Sequence, residues 1–229
     1  MAPDDLVVVF GPRTALAERL LAMDWAARDK VVLVARDPQE ASFLSSRYPR
    51  AEVLTGGDAR SAKRWPPTVR AAILIVCAFG LIHPAAPDWA RHARVMSRDR
   101  EAIAAVIDRC RHCRVTLIFV STALAAAPGE NRAYYVGWKY LSEAILKNLV
   151  ATHDGARFRV LLPGRLVERR TLTQPSSLLH TSYDALARVI VKTARAPKAR
   201  RRVVGLDARA LMMVRGIRLL LSGTLGGSA

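Results

Sequence analysis

Leu6-Val7-Val8-Val9-Phe10-Gly11-Pro12-Arg13-Thr14-Ala15-Leu16-Ala17 passes from five consecutive apolar residues, through one glycine, into a segment with helical spacing. An unbroken apolar run of this length is expected of a strand in a parallel sheet covered on both faces, because alternation is required only where one face meets water. Five more short runs rich in Val, Ile and Leu repeat the pattern at residues 30–35, 51–54, 71–78, 114–120 and 158–162. Helical patterns fill the gaps at 14–27, 38–48, 88–110 and 134–151. This alternation predicts an α/β fold, a doubly wound parallel sheet flanked by helices. One domain over residues 1–229 is expected, with a terminal strand and helix within 203–229.

Composition sets the bounds. A chain of 229 residues that is 51% hydrophobic can enclose a single core. Asp4 and Asp5 precede only five apolar residues, which is not the pattern of a signal peptide. Even the apolar stretch 208–225 is interrupted by Arg209, Arg215 and Arg218, so no transmembrane segment is expected and the location reads as cytoplasmic. Three cysteines cannot all pair within one chain. Cys110-Arg111-His112-Cys113 has no second ligand pair in sequence, and no metal site is expected.

The formal charge is +17, with a pI near 11, which favours anionic partners. The arginines are scattered, however, and the dense run Arg195-Ala-Pro-Lys198-Ala-Arg200-Arg201-Arg202 lacks aromatic residues for base stacking. Nucleic acid is therefore not the expected partner. Coenzyme A or an acidic acyl-carrier protein, as the carrier of a small substrate, suits the charge better.

In doubly wound sheets ligands bind at the carboxyl ends of strands, where the strand order reverses. Gly11, Arg13, Thr14 and Ala15 follow the first strand, where a tight turn presents backbone amides to a pyrophosphate. Ala15 and Ala17 stand where further glycines would allow closer approach. After the second strand, Arg36 and Asp37 occupy the region of an adenosine ribose, and Arg36 with Arg13 favours a 2′-phosphate, hence NADP, with NAD as the other possibility. Asp58, after the third strand and Gly56-Gly57, is a candidate for the adenine amine.

Tyr135 and Lys139 lie four residues apart in a helical segment and share one face. A cation beside a phenol favours phenolate and lowers its pKa, which suits acid–base work on a carbonyl group. Ser121-Thr122 ends the apolar run 114–120, and either hydroxyl can hold a substrate oxygen.

Together these residues resemble the short-chain dehydrogenase/reductase family over almost the whole chain. The resemblance is carried by Gly11, Asp58, Cys77-Ala78-Phe79-Gly80 in place of Asn-Asn-Ala-Gly, Ser121-Thr122, Tyr135 with Lys139, and Pro163-Gly164 after the sixth strand. It implies a Rossmann-like fold and an NAD(P)-dependent oxidoreductase acting on a ketone, an aldehyde or the corresponding alcohol. In that reading Tyr135 is the acid/base, Lys139 lowers its pKa and binds the nicotinamide ribose, and Thr122, 13 residues before Tyr135, orients the substrate with Ser121 as neighbouring candidate. Ala78, Phe79, Gly80, Pro163 and Gly164 then line the cofactor, and a homodimer or homotetramer is implied.

The sequence departs from the family pattern in the glycine loop, at Phe79, in having no Asn before Asn131, and at Glu168 where a Thr is expected. The segment 167–182, with Leu172, Leu178 and Leu179, corresponds to the substrate loop, and residues 207–221 to a terminal helix that could cover a neighbouring subunit or touch a membrane surface, core packing being the simplest role. A non-catalytic dinucleotide-binding or regulatory protein on the same scaffold is the alternative.

Overall fold

A computed structural model describes residues 5–23, 30–61, 65, 68–81, 89–123, 133–168, 179–195 and 201–225. Seven strands of the described residues form one sheet: β1 (Leu6–Phe10), β2 (Lys30–Ala35), β3 (Glu52–Thr55), β4 (Ala71–Val76), β5 (Arg114–Val120), β6 (Arg157–Pro163) and, after a two-strand side sheet of β7 (Leu166–Val167) and β8 (Thr181–Ser182), β9 (Arg201–Val204). Their order is β3-β2-β1-β4-β5-β6-β9, and every neighbouring pair is parallel. The chain thus winds outward from β1 to β3, returns to β4 beside β1, and winds the other way. The six runs read from sequence are the strands β1 to β6, with ends shifted by one or two residues.

Alternating side chains divide the apolar runs between two layers. Leu6, Val8, Phe10, Leu74, Leu117 and Phe119 meet α4 (Trp89–Arg109) and α5 (Ala133–Ala151) through Ile103, Val106, Leu146 and Val150. Val7, Val9, Leu33, Ile75, Ile118 and Leu161 meet the other layer: α1 (Ala15–Leu21) through Leu16 and Leu20, α2 (Pro38–Arg47) through Leu44, and α6 (Tyr183–Arg195) through Leu186 and Ile190. This is why the strands read as continuous hydrophobic runs.

Two helices were not legible, and the packing of a third differs from expectation. The helix α6 follows directly on β8 and buries Leu186, Ala187, Ile190 and Thr193 on one stripe, a helical period lost in the sequence beside the polar segment before it. A short α3 (Gly56–Ser61) replaces the expected turn, because Thr55 and Asp58 bond reciprocally across its first turn. The terminal helix α7 (Leu206–Leu225) buries Ala208 but leaves Leu206, Met213, Val214 and Ile217 exposed. This corrects the expectation of pure core packing. Cys110 and Cys113 are buried free thiols, the Cys113 Sγ donating to the Cys110 carbonyl at 3.2 Å.

Gly11 adopts φ +71°, and a Cβ there would stand 2.6 Å from the Ala78 Cβ and 2.9 Å from the Ala78 nitrogen. Both the left-handed backbone and the contact with the chain leaving β4 exclude a side chain. Gly11→Ala is expected to destabilise the fold by about 2 to 4 kcal/mol, combining backbone and overpacking costs. A lowered midpoint in urea unfolding with an unchanged m-value checks this; a loss under about 0.5 kcal/mol would show that the turn yields freely.

Candidate active site

Because Phe10 pairs with Val76 and Val76 with Phe119, the residues after β1, β4 and β5 emerge side by side at one edge of the sheet, where its order reverses. A cavity of about 380 Å³ opens there. One wall is Thr14, Ala15 and Leu16 at the start of α1; another is Cys77, Ala78 and Phe79 after β4; a third is Ser121 with Tyr135, Trp138 and Lys139 of α5. His92 of α4, Leu166 of β7 and Tyr183 of α6 complete it.

Tyr135 and Lys139 share this cavity, as helical spacing requires. The Lys139 Nζ donates to the Val120 carbonyl at 3.2 Å and lies 5.7 Å from the centroid of the Tyr135 ring. Burial depresses Lys139 to a pKa of about 8, slightly opposed by Cys77. The phenol of Tyr135 behaves differently from the sequence expectation. Desolvation, reinforced by Tyr183, holds it above its ordinary value of 10.0. The ammonium is turned toward a backbone carbonyl, so it does not offset the burial of the ring.

Of the Ser121-Thr122 pair, Ser121 lines the cavity and Thr122 does not, although both are buried. Successive side chains of an extended segment point to opposite sides, so only one hydroxyl faces the cleft. The spacing argument singled out the wrong member for the cavity lining.

Thr14 caps α1: its hydroxyl donates to the Gly11 carbonyl at 3.0 Å and accepts from the Ala17 amide at 3.2 Å. Desolvation pushes the neighbouring Cys77 thiol up to about 12, against a Thr14 hydrogen bond and the Lys139 charge, so it is a neutral thiol near pH 7. Phe79 turns largely into the core with Met96 and Trp138, which resolves how a large residue is accommodated in this segment.

The remaining candidates lie outside the lining of the cavity. Arg13 is exposed, its guanidinium 5.2 Å above the Phe43 ring. Arg36 donates to the Gly80 carbonyl at 2.8 Å and pairs with Asp99 at 3.2 Å, and the same Asp99 oxygen accepts from the Gly80 amide at 2.7 Å. Gly80 itself has φ +74° and packs against His92 and Met96 too closely for a side chain. Asp58 is tied to Thr55, whose hydrogen bonds hold its carboxyl below the usual range. Pro163 ends β6, and Gly164 is wedged against the Asp207 carboxylate, with its amide donating to the Val204 carbonyl at 3.3 Å. Leu179 is exposed, while Leu172 and Leu178 fall outside the described residues.

Sequence reading missed His92, Trp138, Ser142 and Tyr183. His92 is 2% exposed, its ring centroid 3.8 Å from a Trp138 ring, and among the described residues neither of its ring nitrogens has a hydrogen-bond partner. Burial lowers its pKa and keeps it neutral. A polar pair buried on a cavity wall without a protein partner calls for water or ligand. The helical spacing of Tyr135, Trp138, Lys139 and Ser142 was a signal for two of these residues. Nothing local in the sequence marks His92. Among the described residues no cluster of His, Cys, Asp and Glu can hold a metal ion.

No family model and no curated protein matches this sequence. Solved structures do match in fold. A short-chain dehydrogenase from Burkholderia cenocepacia in complex with NADP is 18% identical, with a TM-score of 0.68 over 99% of each chain. A 3-ketoacyl-(acyl-carrier-protein) reductase from Brucella melitensis complexed with NADH is 17% identical, with a TM-score of 0.64 over 89% of this chain and 98% of its own. An oxidoreductase of the short-chain dehydrogenase/reductase family from Burkholderia thailandensis is 18% identical, with a TM-score of 0.62 over 95% and 98%. The fold of this protein is the Rossmann-like α/β fold of those structures.

Proposed function

We propose that this protein is an NADP(H)-preferring reductase of a ketone or aldehyde, or the reverse dehydrogenase, with Tyr135 as proton donor. The observation that carries the reading is the convergence of Tyr135, Lys139 and Ser121 on one cavity at the reversal point of a doubly wound sheet. The fold shared with dinucleotide-bound oxidoreductases supports it. So does the unpartnered His92 on the cavity wall.

The residues fit a nicotinamide dinucleotide at its reactive end. Of the residues lining the cavity, Thr14, Ala15 and Ala78 would flank the phosphates of a bound nucleotide, and Lys139 and Tyr135 its ribose. The bound nucleotide supplies the hydride. Tyr135, a neutral phenol because it is buried, carries the proton needed at the carbonyl oxygen. Ser121 holds that oxygen by a hydrogen bond, and the Lys139 charge favours the negative charge that gathers there. The acyl-carrier substrate of the Brucella melitensis neighbour and the charge of +17 both support an anionic carrier, coenzyme A or an acidic carrier protein, for the carbonyl group.

In this reading Arg36 receives the 2′-phosphate, and Asp99 competes with that phosphate for its guanidinium. Titration of the purified protein with NADPH and NADH, followed by Trp fluorescence, tests both points. Saturable binding is expected, with NADPH favoured, and Arg36→Ala should weaken NADPH by about 1.5 to 3 kcal/mol while barely changing NADH. Asp99→Asn, which retains an acceptor for the Gly80 amide, should raise the NADPH preference about tenfold by freeing Arg36. Binding of neither nucleotide would refute the reductase, and equal effects of both substitutions on the two nucleotides would remove Arg36 from recognition.

A further inference from the structure

The geometry points to α7 as a docking helix that holds this protein on the surface of an anionic lipid bilayer, independently of what the cavity does. Its apolar stripe faces the wrong way for a core helix. Ala208 is fully buried against Val160 and Leu162 of β6, beside the edge strand β9. On the opposite side Leu206 is 56%, Met213 65%, Val214 45% and Ile217 50% exposed. Met213, Val214 and Ile217 recur at three- and four-residue intervals on one face, Leu206 lies one heptad before Met213 with the exposed Arg209 between them, and Met212 adds exposed apolar surface beside it. Leu220 and Leu221 continue the same spacing in the sequence.

Charge decides what covers the stripe. From Arg195 to Leu225 the chain carries Arg195, Lys198, Arg200, Arg201, Arg202, Arg209, Arg215 and Arg218, against the single acid Asp207. That carboxylate is already engaged by the Arg165 and Ala208 amides, each at 2.8 Å. Arg202 and Arg209 are exposed on β9 and α7, while Arg201 pairs with Glu143 at 3.2 Å and the exposed Arg215 donates to the Tyr140 hydroxyl at 3.4 Å. An apolar stripe flanked by arginines and preceded by a basic run is matched by acyl chains under acidic headgroups: the stripe enters the interface while the guanidiniums remain with the phosphates. A second copy of a chain carrying +17 would bring the same cations face to face. No described helix is long and apolar enough to cross a membrane, so the contact is peripheral.

The test is co-sedimentation of the full-length protein with vesicles of phosphatidylcholine alone and of equimolar phosphatidylcholine and phosphatidylglycerol. Binding to the anionic vesicles is expected to exceed binding to the neutral ones by about tenfold or more at about 0.1 M salt, and to weaken toward about 1 M, where the screening length falls from about 10 Å to about 3 Å. Met213→Gln with Ile217→Gln keeps the net charge and alters only exposed side chains. It should lower anionic-vesicle binding about tenfold with an unchanged melting temperature. Failure of the wild type to sediment with anionic vesicles would overturn the proposal. So would wild-type binding by the double variant, which would leave attraction to the basic body alone. A concentration-dependent dimer in analytical ultracentrifugation that the double variant abolishes would reassign the stripe to a contact between copies.

Discussion

Tyr135→Phe is expected to lower kcat for carbonyl reduction by roughly 10²- to 10⁴-fold while nucleotide affinity changes by less than about twofold. The substitution removes one oxygen and its proton and leaves the ring packed beside Tyr183 and Trp138, so the cavity retains its shape. Stopped-flow single turnovers with saturating NADPH separate this loss of chemistry from any change in binding. A variant with half of wild-type activity would show that another group delivers the proton. Ser121→Ala should slow the same step more than Thr122→Val, because Ser121 lines the cavity and Thr122 does not. Retained nucleotide binding in a wild type that turns over no carbonyl would favour the regulatory reading of the same scaffold.

Lys139→Met is expected to abolish turnover and at the same time stabilise the nucleotide-free protein at pH 7. The ammonium is held at a pKa of about 8 against an ordinary 10.5, chiefly by burial. Below about pH 8 it is protonated in both the folded and the unfolded chain, and the cost of burying the charge is fully present. Between about 8 and 10.5 the folded chain has released the proton and the unfolded chain has not, so unfolding takes up a proton and stability rises with pH. The full difference is on the order of 3 kcal/mol, reduced at pH 7 by about 1 kcal/mol for the hydrogen bond to the Val120 carbonyl that Met cannot make. Urea unfolding of the two proteins from pH 7 to 10 measures this directly. The stability advantage of Lys139→Met should shrink as pH rises, and an advantage independent of pH would mean that Lys139 stays protonated in the folded chain across this range, its pKa not depressed by burial. Reductase activity of the wild type should fall above about pH 8 for the same reason.

Stability and function thus pull apart at one residue. A lysine whose Nζ lies against a strand-end carbonyl, 5.2 Å from the Phe119 ring and beside a neutral Cys77 thiol, is a poor choice for a core. In the proposed reaction it supplies positive charge where the substrate oxygen becomes negative, and a dry wall makes that charge effective.

The local sequence by itself determined the strands β1 to β6, the helices α1, α2, α4 and α5 and the pairing of Tyr135 with Lys139. Each depends on short-range periodicity: a covered parallel strand needs consecutive apolar side chains, and residues four apart on a helix share a face wherever the helix packs. A tight turn at Gly11 was expected from its place after the first strand, and the structure adds its left-handed φ of +71°. What the tertiary structure alone decided were the relations between segments distant in the chain. Which hydroxyl of Ser121-Thr122 meets the cavity depends on how the chain leaves β5, and 13-residue spacing carries no such direction. Arg36 finds Gly80 and Asp99 across 44 and 63 positions, a pairing no local pattern encodes. His92 becomes a cavity residue only because α4 crosses beside α5 and lays the imidazole on Trp138. The terminal helix α7 was read from the sequence but its exposed face was not; packing of Ala208 against β6 chose which side meets solvent.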